Sequence, residues 1–133
     1  MQKKLLYAVG FLALWSGPIL ADEAYDKCLK DPNGNNRIWS ECGAVLLKQE
    51  EARMAEAWKK AFALAKLDSD KKLLLVEQRA WIAFKDKSCN LYLEDHGTQG
   101  VAVDFPMCRA EVLVARRKQL ESIAVDLKGP EKQ

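Results

Sequence analysis

The hydrophobic pattern is clearest between residues 71 and 95, where apolar side chains recur at the spacing of an amphipathic helix. Positions three or four residues apart share one face of a helix, so we expect this face to be buried against other helices. The apolar positions on the face are Leu75, Ile82, Cys89 and Leu93, with Leu74, Trp81 and Tyr92 beside them.

One charged residue, Asp86, falls on the same predicted face. A carboxylate is costly to bury without a partner, and Arg116 stands among the apolar positions of the last predicted helix. We therefore predict an ion pair between Asp86 and Arg116 that fixes the register of two helices, with Trp81 as a core residue of the same helix.

Periodicity and turn residues divide the rest of the chain into further helices. The predicted helices are 22–30, 36–67, 71–95 and 107–127, and a loop of residues 96–106 precedes the last of them. The loops between the three longer helices are short. The predicted fold is therefore all-α: a small antiparallel helical bundle of three main helices plus a short N-terminal helix.

The first 21 residues have the pattern of a secretory signal peptide. Lys3 and Lys4 precede an apolar run over residues 5–15, which is too short to span a bilayer. We expect a helical domain over residues 22–128, a disordered tail over residues 129–133, and a periplasmic or secreted location. Asp22, and not a cysteine, follows the expected cleavage site, so we expect no lipid anchor.

Four cysteines follow the predicted signal peptide, which in a small exported domain indicates disulfides. Three connectivities are possible. We predict Cys28–Cys42 and Cys89–Cys108, because each pair links the ends of neighbouring helical segments across a turn. A zinc site is a weak alternative, because no two cysteines have the close spacing of structural zinc ligands and His96 is the single histidine.

Charge gives little support to nucleic-acid binding. Of the 21 basic residues, Lys3 and Lys4 lie in the predicted signal peptide, so the remainder balances the 19 acidic residues. No nucleophile with a base, carboxylate pair or metal constellation is recognisable in the sequence. We expect a protein that is not an enzyme and that has no cofactor and no metal.

The motif at residues 78–89, together with the cysteine spacing, resembles the lysozyme inhibitor LprI-like N-terminal domain family. The resemblance covers roughly residues 28–120 and rests on Cys28-x13-Cys42, on Gln78-Arg79-x-Trp81-Ile82-x-Phe84-Lys85-Asp86-x-x-Cys89, and on Cys108 followed by Arg116 and Leu120. The chain departs from the usual family pattern at Met54-Ala55, Trp58, Lys85 and Leu113.

The resemblance implies a small exported helical protein that inhibits lysozyme-type peptidoglycan hydrolases by binding them. The alternative is a periplasmic protein-interaction, immunity or stress module without lysozyme activity. In either case the expected partner is a protein. For inhibition, the predicted binding residues are His96, Thr98 and Gln99 in the loop and Arg79, Lys85 and Lys87 on the preceding helix.

Overall fold

The computed structural model describes residues 20–94 and 96–129, and the ordered elements within these ranges are all helical. The predicted all-α class is confirmed. The elements are α1 (Leu20–Leu29), α2 (Asn36–Leu64), α3 (Asp68–Lys87), α4 (Leu91–Glu94), α5 (Gly97–Gln99), a π-helical turn (Gly100–Asp104) and α6 (Phe105–Lys128). Most of the predicted signal peptide and tail lies outside the described residues. Within the described ranges, no helix is both long and apolar enough to cross a bilayer.

Helices α2 and α6 form the centre of the fold and run parallel to each other. Their contacts advance together, from Gly43 against Pro106 to a cluster near their far ends. A Cβ at Gly43 would lie 2.7 Å from the Pro106 ring, so glycine permits the close approach. The far cluster is built mainly from small side chains and one leucine: Ala57, Ala61, Leu120 and Ala124.

Helix α1 runs antiparallel to α2 and is held there by a disulfide and a tyrosine. Cys28 is bonded to Cys42, as predicted. One turn earlier, Tyr25 packs with Leu46 and Ala110, so α1 also contacts α6. The tyrosine hydroxyl donates a hydrogen bond of 3.3 Å to the carbonyl oxygen of Val103.

Helix α3 returns antiparallel to α2 and α6, but its inner face differs from the predicted one. Leu74 and Gln78 are buried and Trp81 is half-buried. Leu75 and Ile82, which were predicted to be buried, are 38% and 42% exposed. The prediction was wrong by about a quarter turn, because apolar residues lie around much of this helix and a polar residue occupies its inner face.

The predicted ion pair between Asp86 and Arg116 is also wrong. Arg116 is 2% exposed, and its Nε and Nη2 donate to Oε1 of Gln78 at 3.0 and 2.9 Å. Its Nη1 pairs with Glu77, and its guanidinium lies 5.9 Å from the ring centre of Trp81. Asp86 is exposed and pairs with Lys85 at 3.0 Å. It lies eight residues past Gln78, about 12 Å along the helix, and therefore out of reach of Arg116.

The helix predicted over residues 71–95 is interrupted after Lys87. Cys89 has a φ of 68°, in the left-handed region that non-glycine residues rarely adopt. This conformation ends α3 and turns the chain at the residue that forms the predicted disulfide with Cys108. The short helix α4 begins only after the turn.

A double-mutant cycle tests the role of Arg116. Arg116→Met should lower the free energy of unfolding by about 3 kcal/mol, because it strands the buried amide oxygen of Gln78. Combining it with Gln78→Leu should cost less than the sum of the single changes, by about 1–2 kcal/mol. The matched control, Arg116→Met with Asp86→Asn, should be additive in urea denaturation. Coupling to Asp86 and not to Gln78 would contradict the structure.

Tyr25 should make stability fall at alkaline pH. Burial raises the pKa of Tyr25 above its ordinary value of 10.0, and the charge of Asp104 raises the pKa further. The unfolded chain therefore loses this proton at a lower pH than the folded chain, so stability is full below pH 10.0 and declines above it. Tyr25→Phe should cost about 1 kcal/mol at neutral pH and should reduce the alkaline decline. Tyr92→Phe is the control, and an unchanged decline in Tyr25→Phe would contradict this account.

Candidate protein-binding site

The segment between the second pair of cysteines is a packed helical connector and not the irregular loop that was predicted. We call residues 96–104 the connector; it comprises His96, α5 and the π-helical turn. A Cβ at Gly100 would overlap the carbonyl oxygen of Tyr92, so this glycine is needed for close packing. Ala102 and Val103 are buried. The inner side of the connector is thus part of the core.

The outer side of the connector is polar and exposed. His96, Thr98 and Gln99 all lie on the surface. The imidazole of His96 packs edge-on against the ring of Tyr92, with 5.2 Å between the ring centres. Three of the six residues predicted from the sequence to bind a partner therefore lie together within one short turn.

Three links fix the connector to the rest of the protein. The disulfide between Cys89 and Cys108 joins the two chain segments that flank it. Tyr25 binds the carbonyl oxygen of Val103 on its inner side. On its outer side, Nδ2 of Asn36 donates to Oγ1 of Thr98 at 2.8 Å. A segment that is linked on both sides loses little conformational entropy when it binds a partner.

The bond from Asn36 brings the N-terminal end of α2 beside the connector. Asn35 caps this helix by accepting hydrogen bonds from the backbone amides of Arg37 and Ile38. The side chain of Arg37 is 76% exposed and pairs with Glu41 at 2.9 Å. We call the surface formed by Asn36, Arg37, His96, Thr98 and Gln99 the polar end. It offers hydrogen-bond donors, acceptors and one cation on a fixed scaffold.

A buried arginine supports the base of the polar end. Nη2 of Arg109 donates to the carbonyl oxygen of Ser88 at 2.8 Å, and its guanidinium lies 5.0 Å from the ring centre of Phe105. This contact ties the end of α3 to the start of α6, beside the disulfide. The sequence analysis missed Arg109, although it stands four residues before Leu113 on the buried stripe of α6.

The three basic residues of α3 that were predicted to bind a partner differ in exposure and in their distance from the connector. Lys87 is exposed in the last turn, next to the segment that leads into the connector. The side chain of Lys85 is only 19% exposed and pairs with Asp86. Arg79 is exposed but lies eight residues before Lys87, about 12 Å along the helix. Of these three residues, Lys87 is closest in sequence to the connector. A role in binding a partner stays a prediction for all three.

A second charged cluster lies away from the polar end. Glu50 is buried and pairs with Arg53, and its other oxygen lies 3.9 Å from Nε of Arg117. Arg117 also pairs with the exposed Glu121 at 3.0 Å. Because opposite charges from α2 and α6 meet here, the cluster is well explained as an interhelical ion-pair network. The described residues include no group of three or more His, Cys, Asp and Glu side chains that could hold a metal ion.

Comparison with known proteins identifies a family that the chain matches. The model of the family described as lysozyme inhibitor LprI matches residues 28–120. No curated protein and no solved structure matches the chain significantly. The matched segment includes both disulfides, the Arg116 contacts on α3 and the whole connector. Because the match spans well over half of the 133 residues, the chain belongs to the LprI lysozyme inhibitor family.

Proposed function

We propose that this protein is exported and inhibits lysozyme-type peptidoglycan hydrolases by binding them stoichiometrically. The observation that carries the proposal is membership of the LprI lysozyme inhibitor family over residues 28–120. Export is supported by the signal-peptide pattern of residues 1–21 and by two disulfides, which form and persist in oxidising compartments.

The polar end is the surface proposed to enter the hydrolase. Its connector is held by a disulfide, by Tyr25 and by Asn36, so it meets a partner in a preformed shape. Preorganisation lowers the entropy lost on binding, which otherwise offsets much of the contact energy. A fixed turn with exposed polar side chains is proposed to meet a concave partner such as a substrate cleft.

The chemistry of the polar end matches the chemistry of such a cleft. Lysozyme-type enzymes hold two carboxyl groups on either side of the bond that they cleave. Asn36 and Arg37 present side-chain N–H donors, and His96 presents an imidazole that can also donate. Among the described residues, the side chain of Arg37 pairs with Glu41 in an exposed ion pair, which is worth little, so it can turn to an acidic partner at small cost.

Inhibition should be stoichiometric and reversible. When the disulfide-bonded protein is titrated into lysozyme acting on a suspension of bacterial cell walls, lysis should slow until the two proteins are present in equal amounts. Activity should return on dilution, and a chelator should have no effect, because the polar end acts by occupying the cleft. Absence of any effect at tens of micromolar, a concentration well above the Kd of ordinary inhibitor complexes, would sink the proposal. The alternative, a periplasmic protein-interaction, immunity or stress module without lysozyme activity, would then be the better explanation.

Inhibition should depend on the exposed side chains of the connector. The combined change His96→Ala, Thr98→Ala and Gln99→Ala should weaken inhibition roughly 10- to 100-fold, because it removes the central polar contacts. The melting temperature should change by only a few degrees, since the contacts that are lost are the exposed hydrogen bond from Asn36 to Thr98 and the ring contact between the exposed His96 and Tyr92.

The matched control places three similar changes far from the polar end. Lys118→Ala, Ser122→Ala and Asp126→Ala alter exposed residues in the second half of α6, about 20 Å or more from its start. This variant should inhibit as strongly as the wild type. Equal losses in both variants would show that the connector is not the inhibitory surface.

A further inference from the structure

The break between α3 and α4 is not one that its own sequence requires. It consists of Ser88, Cys89 and Asn90, none of which is glycine or proline, and the periodicity predicts a single helix across it. Cys89 is the residue that adopts the left-handed conformation, although asparagine tolerates this conformation better and stands beside it. The choice of residue indicates that a contact outside the segment imposes the break.

The contacts that hold the break come from two adjacent residues of α6. Cys108 is bonded to Cys89, and Nη2 of Arg109 donates to the carbonyl oxygen of Ser88 at 2.8 Å. In a continuous α-helix this carbonyl would accept the backbone amide of Tyr92. Here that amide donates to the carbonyl oxygen of Cys89 at 3.0 Å. The start of α6 therefore holds the chain out of the helical register of α3.

The break also sets the place of the connector. Gly100 packs against the carbonyl oxygen of Tyr92, which lies in α4. The imidazole of His96 rests on the ring of the same tyrosine, with 5.2 Å between the ring centres. Because α4 is where the connector packs, a change in the direction of α4 moves the exposed side chains of the polar end.

We propose that the bond between Cys89 and Cys108 is a conformational switch. When the bond forms, Cys89 is held in the left-handed conformation, α4 is a separate helix and the polar end is built. When the bond is absent, Cys89 returns to the right-handed region and α3 continues as one helix through residue 94. The amide of Tyr92 then donates to the carbonyl oxygen of Ser88, as in any α-helix.

Thiol–disulfide exchange forms the bond. The thiolate of one cysteine attacks the disulfide of an oxidised dithiol oxidoreductase, and the thiolate of the other cysteine displaces the resulting mixed disulfide. The protein loses two protons and two electrons, and the reagent becomes a dithiol. Cys89 and Cys108 are both half-buried and not enclosed in the core, so a reagent can approach them.

The switch ties the building of the polar end to export. Oxidising compartments maintain disulfides, whereas the cytosol keeps thiols reduced. The chain should therefore lack a polar end before export and should acquire it afterwards. This consequence, and the gain of inhibition that follows, rest on the proposed function; the exchange between two helices and one does not.

The other disulfide offers a matched control. Cys28 lies within α1 and Cys42 within α2, and neither has a positive φ. Opening this bond loosens α1 but changes no helix boundary. The pair Cys28→Ser with Cys42→Ser therefore removes a disulfide from the same protein without removing the break at Cys89.

Backbone resonances of the exported protein test the switch without any partner. In the pair Cys89→Ser with Cys108→Ser, the chemical shifts of residues 88–94 should become those of a continuous helix, and wild-type protein reduced with dithiothreitol should show the same change. Oxidised glutathione should reverse the change in the wild type. The control pair should keep the wild-type shifts at residues 88–90. A left-handed conformation that persists at residue 89 in the first pair would overturn the proposal, and so would loss of the α2 and α6 resonances, which would mean unfolding.

Inhibition of lysozyme tests the consequence for the polar end. Cys89→Ser with Cys108→Ser should inhibit at least about 10-fold more weakly than the wild type, and the control pair about as strongly as the wild type. Cys89→Gly with Cys108→Ser should recover most of the loss, because glycine adopts the left-handed conformation without cost. Equal losses in the serine and glycine variants would show that the bond acts only as a tether, which would overturn the switch. A wild-type protein that does not inhibit would contradict the proposed function, and the resonances would still decide the exchange of helices.

Discussion

The buried guanidinium of Arg116 is the interaction on which the placement of α3 depends. A cation in the core is costly unless its donors are satisfied. Here Gln78 accepts two hydrogen bonds from it, Glu77 and Gln119 share Nη1, and Trp81 presents its ring. These partners on α3 lie on neighbouring turns of one face. These contacts require Gln78 to face α6, and this orientation places Leu74 and Gln78 inside.

The register of α3 in turn fixes the start of the connector. With Gln78 against α6, α3 ends where the carbonyl oxygen of the following residue, Ser88, accepts a hydrogen bond from Arg109 and where Cys89 bonds to Cys108. The left-handed conformation of Cys89 makes the turn possible. From there the connector leads into α6. On this path Gly100 packs against the carbonyl oxygen of Tyr92, and the carbonyl oxygen of Val103 accepts a hydrogen bond from Tyr25. A π-helical turn holds one more residue than an α-helical turn, and it joins α5 to α6 here. The exposed side of the connector is consequently held by contacts to α1, α2 and the disulfide.

The same register leaves several apolar side chains of α3 in solvent. A helix that is fixed by a polar contact does not need its whole apolar surface for packing. Leu74 and Trp81 pack beside Gln78, whereas Leu73, Val76 and Phe84 remain exposed. The exposure of these three side chains thus follows from the position at which Arg116 finds its partners on α3.

Strictly periodic features could be predicted from the sequence, and features that depend on distant partners could not. The buried stripe of α6 is as predicted, with Leu113, Arg116 and Leu120 inside. Both disulfides are also as predicted, because each joins cysteines at the ends of neighbouring helical segments. The inner face of α3 was missed because apolar residues surround this helix, so periodicity selects no single face, and the buried Gln78 is explained only by an arginine 38 residues away.

The candidate site was predicted in part. The exposure of His96, Thr98 and Gln99 follows from their polarity, but the helical form of the connector does not, because glycines at 97 and 100 are typical of loops. Gly100 serves close packing against Tyr92, a contact that has no signature in the sequence. The bond from Asn36 to Thr98 spans 62 residues and was likewise hidden.

The central claim is that the polar end binds a lysozyme-type hydrolase. The most direct measurement is a titration of the isotopically labelled protein with unlabelled lysozyme, followed through backbone amide resonances. The account predicts that the largest shifts and losses of intensity fall at residues 33–37 and 96–101, with α6 beyond residue 115 unaffected. Perturbations confined to α3, or none at all, would contradict it.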